Sequence, residues 1–209
     1  MPTTNDTTPR GRGRPATVSA DAVAQTGLDL FLTRGFDETT MTEIATAAGI
    51  GRKTLFAYFP NKADIVWNRF APQLADLTSA LATSPHDIPS TDAVVDAVLR
   101  GLHSGPGDVP VMRAEVVLIQ QTPALQSYAH MRGEPWRTAI SRFLAEREGL
   151  DPEDVLPQVL GHGYWEAMFV GFRNWIRSGE IAPTPFVERA LRDYSRALRA
   201  AFAHESTLE

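Results

Sequence analysis

Arg52, Lys53 and Thr54 stand at three consecutive positions where a short amphipathic stretch begins, and Ala57, Tyr58 and Lys62 follow closely. Two cations and a hydroxyl at the head of a helix suit a polyanion. Guanidinium and ammonium groups pair with phosphates or base edges, and the helix dipole with its exposed amides adds positive potential at that end. Tyr58 falls on the side away from the apolar residues, which leaves its hydroxyl for a phosphate oxygen. Thr40 and Thr42, just upstream, are expected on the same surface. The set points to nucleic-acid contact rather than bond-making chemistry.

Three elements must position that surface. Thr40 and Glu43 have the spacing of a capping box, so a helix starts near Met41 and turns Ile44, Ala45 and Ala48 inward. Gly49 supplies the positive φ of a sharp turn. A second helix runs from about residue 52 to 59, anchored by Leu55, Phe56 and Phe59, and Pro60 stops it. Such a pair places its second helix in the major groove. Ahead of it, Ser19 caps a helix running to about Arg34, with Val23, Ala24, Leu28, Phe31 and Leu32 inward and Gly35 as the stop.

Over residues 19–66 these features resemble the amino-terminal pattern of the TetR family of bacterial one-component regulators. Leu30, Phe31, Gly35, Phe36, Thr42, Ile44, Ala45, Ala48, Gly49 and positions 54–62 carry the match. The chain departs at Gly51, where that family more often has serine; glycine caps only through its backbone. Lys53, where glycine or alanine is common, adds a base or phosphate contact. The resemblance implies an all-α fold: a flexible basic arm (1–18), a three-helix head (19–66), a helical effector-binding and dimerisation domain (67–204) and a tail (205–209). It also implies a homodimer on a palindromic double-stranded DNA operator, released by a small apolar or acyl-chain effector. A TetR-like activator or corepressor-dependent switch shares the fold and differs only in the sign of the ligand response.

Composition agrees. The net charge of −5 divides unevenly: residues 1–62 hold seven basic and six acidic side chains, whereas the remainder is acidic and should face away from DNA. Arg10, Arg12 and Arg14 form a glycine-rich basic arm suited to an adjacent minor groove. There is no cysteine, hence neither disulfide nor thiolate metal site. No apolar run reaches the length of a membrane span, and a cytoplasmic protein without cofactor or membrane partner is expected.

Helical patterns fill the rest of the chain. A fourth helix from Asn61 is expected to continue past Trp67, Phe70 and Leu74, bent at Pro72, into the low eighties. Further helices are expected over about 91–103, 110–121, 124–148, 153–178 and 184–204. Phe172 and Ile176 on one of the last two, with Val187, Leu191, Tyr194, Leu198 and Phe202 on the other, are expected at the dimer interface. Expected around an apolar effector are Trp67, Phe70, Leu99, Leu102, His103, Arg113, Val116, Val117, Gln120, Trp136, Phe143, His162, Trp165, Glu166 and Phe169.

His162, Glu166 and Arg173 align at spacings of four and seven. They bind a polar effector group, hold the dimer, or lie in solvent. His162 and Glu166 also raise a metal-dependent enzyme as a competing class, but no third ligand stands at useful spacing, so no metal and no catalytic residue is expected. Positions 51–56, 58–67, 122–126 and 154–162 resemble TetR-type regulators encoded beside mycofactocin redox-cofactor systems. That resemblance implies a long-chain acyl-coenzyme A effector, its phosphates met by Arg113, Arg132 or Arg137.

Overall fold

Ser19 opens the first helix by accepting a hydrogen bond from the Ala22 amide at 3.2 Å. The computed structural model describes residues 18–102 and 108–205, with side chains as far as residue 199. Arg10, Arg12, Arg14, His103, the Phe202 side chain and the tail beyond residue 205 lie outside the described residues. Eleven α-helices and no strand occur among those described. The head comprises α1 (Ala20–Arg34), α2 (Met41–Ala47) and α3 (Arg52–Tyr58); α4 (Lys62–Val66) leads out of it. The body follows as α5 (Phe70–Ala82), α6 (Ser90–Gly101), α7 (Asp108–Gln121), α8 (Pro123–Arg132), α9 (Glu134–Glu148), α10 (Val155–Ser178) and α11 (Thr184–Glu205).

Two expected helices are each divided in the structure. The fourth helix breaks at residues 67–69 rather than bending at Pro72. Pro72 lies in the first turn of α5, where an amide has no intrahelical acceptor and its loss costs little. The 124–148 helix breaks at Gly133, because Pro135 cannot donate to the carbonyl four residues before it.

Leu28, Phe31, Ile44, Leu55 and Ile65 are at most 1% exposed and form the centre of the head. Leu32, expected inward, is 49% exposed, since it falls at the flank of the buried stripe that Val23, Ala24, Gly27, Leu28 and Phe31 form along α1. Helix α7 packs against α1 and α4 on one side and against α8 and α10 on another, so it braces the head against the body. α10 and α11 form a tight pair: a Cβ at Gly171 would lie 2.6 Å from the Val187 Cα. No helix among the described residues is long and apolar enough to cross a membrane.

Candidate nucleic-acid interface and effector cavity

The capping box forms as its spacing requires. The Thr40 hydroxyl accepts from the Glu43 amide at 3.2 Å, and the Glu43 carboxylate accepts from the Thr40 amide at 2.8 Å. The Thr40 amide and hydroxyl both donate to that carboxylate and, with Arg34 nearby, hold the Glu43 carboxyl below its ordinary range. Gly49, at φ 66°, turns the chain into α3. Leu55 and Phe59 bury the inner side of α3, leaving Arg52, Lys53, Thr54 and Ala57 exposed on the outer one. Thr42 is exposed beside them on α2. Phe56 is not an anchor: it is 38% exposed, and the Arg52 guanidinium lies over its ring at 5.4 Å. The ring thus holds the arginine at the head of the helix.

Three of the expected DNA contacts have their donors occupied. The Thr40 hydroxyl donates to the Glu43 carboxylate at 2.8 Å. The Tyr58 hydroxyl donates to the Val18 carbonyl at 3.0 Å, so its single proton is not available to a phosphate; it ties Val18, just ahead of α1, to α3. Lys62 donates to the Phe36 and Asp37 carbonyls at 2.7 and 3.3 Å and lies over the Phe36 ring, closing the turn between α1 and α2.

The body holds a second, very different site. Where α4 gives way to α5, Trp67, Arg69 and Phe70 meet α6, α7, α9 and α10 around a cavity of about 70 Å³, room for a few waters. Trp165 is its hub, with ring centroids 5.4 Å from Trp136, 5.0 Å from Phe169, 6.0 Å from Phe70 and 6.5 Å from Trp67. Leu102 and Val116 also line it, together with Met112, Ile119, Met168 and Phe172. The polar members are Arg69, Gln73 and Glu115. Burial pushes the Glu115 carboxyl up to about 7, opposed by Arg69 and reinforced by Asp108. Asp64 on α4 is buried and accepts from Tyr128 at 2.5 Å and from Arg132, tying the way out of the head to α8.

Several expected cavity residues lie elsewhere. Arg113 stacks over Trp175 at 4.4 Å and donates to the Glu180 carbonyl. Leu99, Val117, Gln120 and Phe143 are not among the cavity walls. His162 lines a small polar cleft with Glu134, Arg137 and Arg142, whereas Glu166 lines a groove between α10 and α11. Both are exposed, so the His162–Glu166–Arg173 alignment is divided between surfaces and needs no buried partner. Arg137 is buried and donates to Glu134 and to the His130 carbonyl, each at 2.7 Å.

The interface expectation also needs correction. Val187 and Leu191 are 0% exposed where α11 packs closely on α10, and Phe172 is 6% exposed because it turns into the wall of the aromatic cavity. Ile176, Tyr194 and Leu198 are half-buried. Val159 and Val170 are instead exposed on α10.

Two family models match in succession: the bacterial regulatory proteins of the tetR family over residues 24–66, and the MftR C-terminal domain over residues 88–202. The chain belongs to the TetR family. Among its relatives is a Mycobacterium tuberculosis protein named for regulating mycofactocin biosynthesis, MftR. The two are 30% identical over 172 residues, 82% of this chain and 87% of that one. The regulator TcmR of Streptomyces glaucescens is 27% identical over 70% of this chain and 69% of its own length. Among solved structures, Thermus thermophilus FadR in complex with lauroyl-CoA superposes with a TM-score of 0.53 at 21% identity, over 84% of this chain and 93% of that one. The Stenotrophomonas maltophilia efflux-pump repressor SmeT reaches 0.60 at 14% identity, over 86% and 89%.

This TetR-family chain is therefore a DNA-binding transcriptional regulator and not an enzyme. The feature that sequence reasoning missed is the polar edge of the cavity. Glu115 stands alone inside Val-Met-Arg-Ala-Glu-Val-Val-Leu-Ile, and a lone acid in an apolar run is a signal of a buried carboxyl. Arg69 carried no such signal, because the helix break beside it was not expected.

Proposed function

We propose that the chain is a homodimeric repressor that a small apolar molecule releases from a palindromic operator. The observation that carries this reading is Trp67. It caps α4, which leads directly from the DNA-reading head, and it is also a wall of the aromatic cavity. Residues 19–66 act as the head and 67–204 as the effector and dimerisation body. Arg52, Lys53, Thr54, Ala57 and Thr42 meet the major groove, and Arg10, Arg12 and Arg14 the minor groove. Tyr58 fixes the point from which that arm departs. The setting is cytoplasmic.

The aromatic rings leave a cavity of only about 70 Å³, so a larger ligand enters by displacing rings. Moving Trp67 shifts α4, and the Asp64–Tyr128–Arg132 network carries the shift into α8. A ligand that prefers the displaced arrangement by a few kcal/mol changes operator occupancy greatly. For pairing, Val170, Phe186 and Tyr194 line the groove along α10 and α11, and two copies placed there set their reading helices one DNA turn apart.

A second reading of the effector is a long-chain acyl-CoA, favoured by the apolar walls and by the lauroyl-CoA bound to FadR. Its phosphates would need arginines other than Arg113, Arg132 and Arg137, which are engaged within the chain. A mobility shift on the DNA upstream of the chain's own gene, with and without lauroyl-CoA, tests both levels. A specific shift supports the repressor, and its loss with lauroyl-CoA supports the second effector reading. A shift that requires ligand identifies an activator or corepressor-dependent switch instead. Val170→Arg, followed by sedimentation, is expected to yield monomers.

A further inference from the structure

We infer that the cavity selects an effector with an apolar, ring-bearing body and a protonated amine, the amine pairing with the Glu115 carboxylate. The inference rests on the reading of this cavity as the effector site. Glu115 is 8% exposed, lines the cavity and accepts no hydrogen bond from the described residues. The Arg69 Nε is 3.9 Å away, at the outer limit of an ion pair, and Arg69 also reaches Asp108 at 3.4 Å. A buried carboxylate so weakly compensated is costly, and an incoming ammonium satisfies it.

Two further observations point the same way. The walls are rings whose faces attract cations: Trp67, Phe70, Trp136 and Trp165 surround the space. An outer groove shares Arg69, Gln73, Gly101 and Glu115 with the cavity, and its lining adds Asp21, Asp76 and Asp108. Four carboxylates against one guanidinium draw in an amine and repel phosphates. Burial already holds the Glu115 carboxyl up to about 7, so an ammonium beside it favours the charged form. Trp67 brings a buried Nε1–H with no partner among the described residues, which suits an acceptor atom on the same ligand.

The test is calorimetric titration of the full-length protein at pH 7 with three matched probes: 1-naphthylmethylamine, 1-naphthylmethanol and 1-naphthoate. The amine is expected to bind about tenfold more tightly than the alcohol, and the naphthoate most weakly. Glu115→Gln, with its fold checked by circular dichroism, should remove the amine's advantage and leave the alcohol unchanged. Equal or tighter binding of the alcohol or naphthoate overturns the inference, as does an undiminished amine preference in Glu115→Gln or no amine binding at millimolar concentration. The same probes in a mobility shift separate the two levels. Amine preference without operator release retains the head-group assignment and removes the effector reading. Release by naphthoate or lauroyl-CoA, with the amine inert, retains the effector site and overturns the head-group assignment.

Discussion

The outer side of α3 and the cavity behind α4 both present polar groups, but in opposite surroundings. Arg52, Lys53 and Thr54 stand in water, whereas Glu115 and the Trp67 indole nitrogen lie among aromatic rings. Exposed cations gain little from one another and act through long-range, salt-sensitive attraction to phosphate. Buried polar groups act at contact range, and each unsatisfied one penalises every ligand that does not complement it. One surface therefore suits tight binding to a polyanion, and the other suits choosing among small molecules.

The contrast fixes where substitutions should act. Trp165→Ala removes the hub of the aromatic cluster and is expected to cost about 3–5 kcal/mol in urea unfolding. A loss under about 1 kcal/mol would show that the cluster does not hold the body together. Next comes the pH response of Glu115. Its folded pKa is raised from 4.5 to about 7, so the folded state holds more protons across that window. Its contribution to stability is then greatest below pH 4.5 and is lost as pH rises toward 7, by roughly 3 kcal/mol at most. In unfolding curves, the stability of the wild type relative to Glu115→Gln should be lower at pH 8 than at pH 5.

The two regions were unequally legible in the sequence, for the same physical reason that separates them. The head is built from local relations: Thr40 with Glu43, Gly49 between two helices, and Leu55 with Phe59 four residues on. Such spacings are visible in a linear chain. Its errors came from long-range acceptors, since neither the Val18 carbonyl that takes Tyr58 nor the Phe36 carbonyl that takes Lys62 can be paired by spacing. The aromatic walls were legible as helical apolar residues. Which of those residues turn toward the cavity and which toward a partner was not. Phe172 reads equally well as interface or core until its place in the cavity wall puts it inside.

Smaller effects sharpen the comparison. Asp64→Asn weakens the link between α4 and α8 and is expected to cost about 1.5–3 kcal/mol, with ligand-dependent release impaired more than DNA binding itself. Full release in that variant would place the coupling elsewhere. Arg52→Ala should weaken operator binding by about 1–3 kcal/mol while shifting stability by no more than about 0.5 kcal/mol. Tyr58→Phe should be the mildest, about 1 kcal/mol of stability through loss of the Val18 hydrogen bond. The salt dependence of its DNA binding should stay unchanged; a slope reduced by about one would return Tyr58 to the phosphate contacts.

The most direct measurement is a mobility-shift titration on the upstream DNA, comparing the wild type with an Arg52→Ala, Lys53→Ala double variant of unchanged melting temperature. The expected result is a specific shift for the wild type and a loss of affinity of at least about tenfold for the variant. Equal affinity in the two proteins would contradict the claim that the outer side of α3 reads DNA.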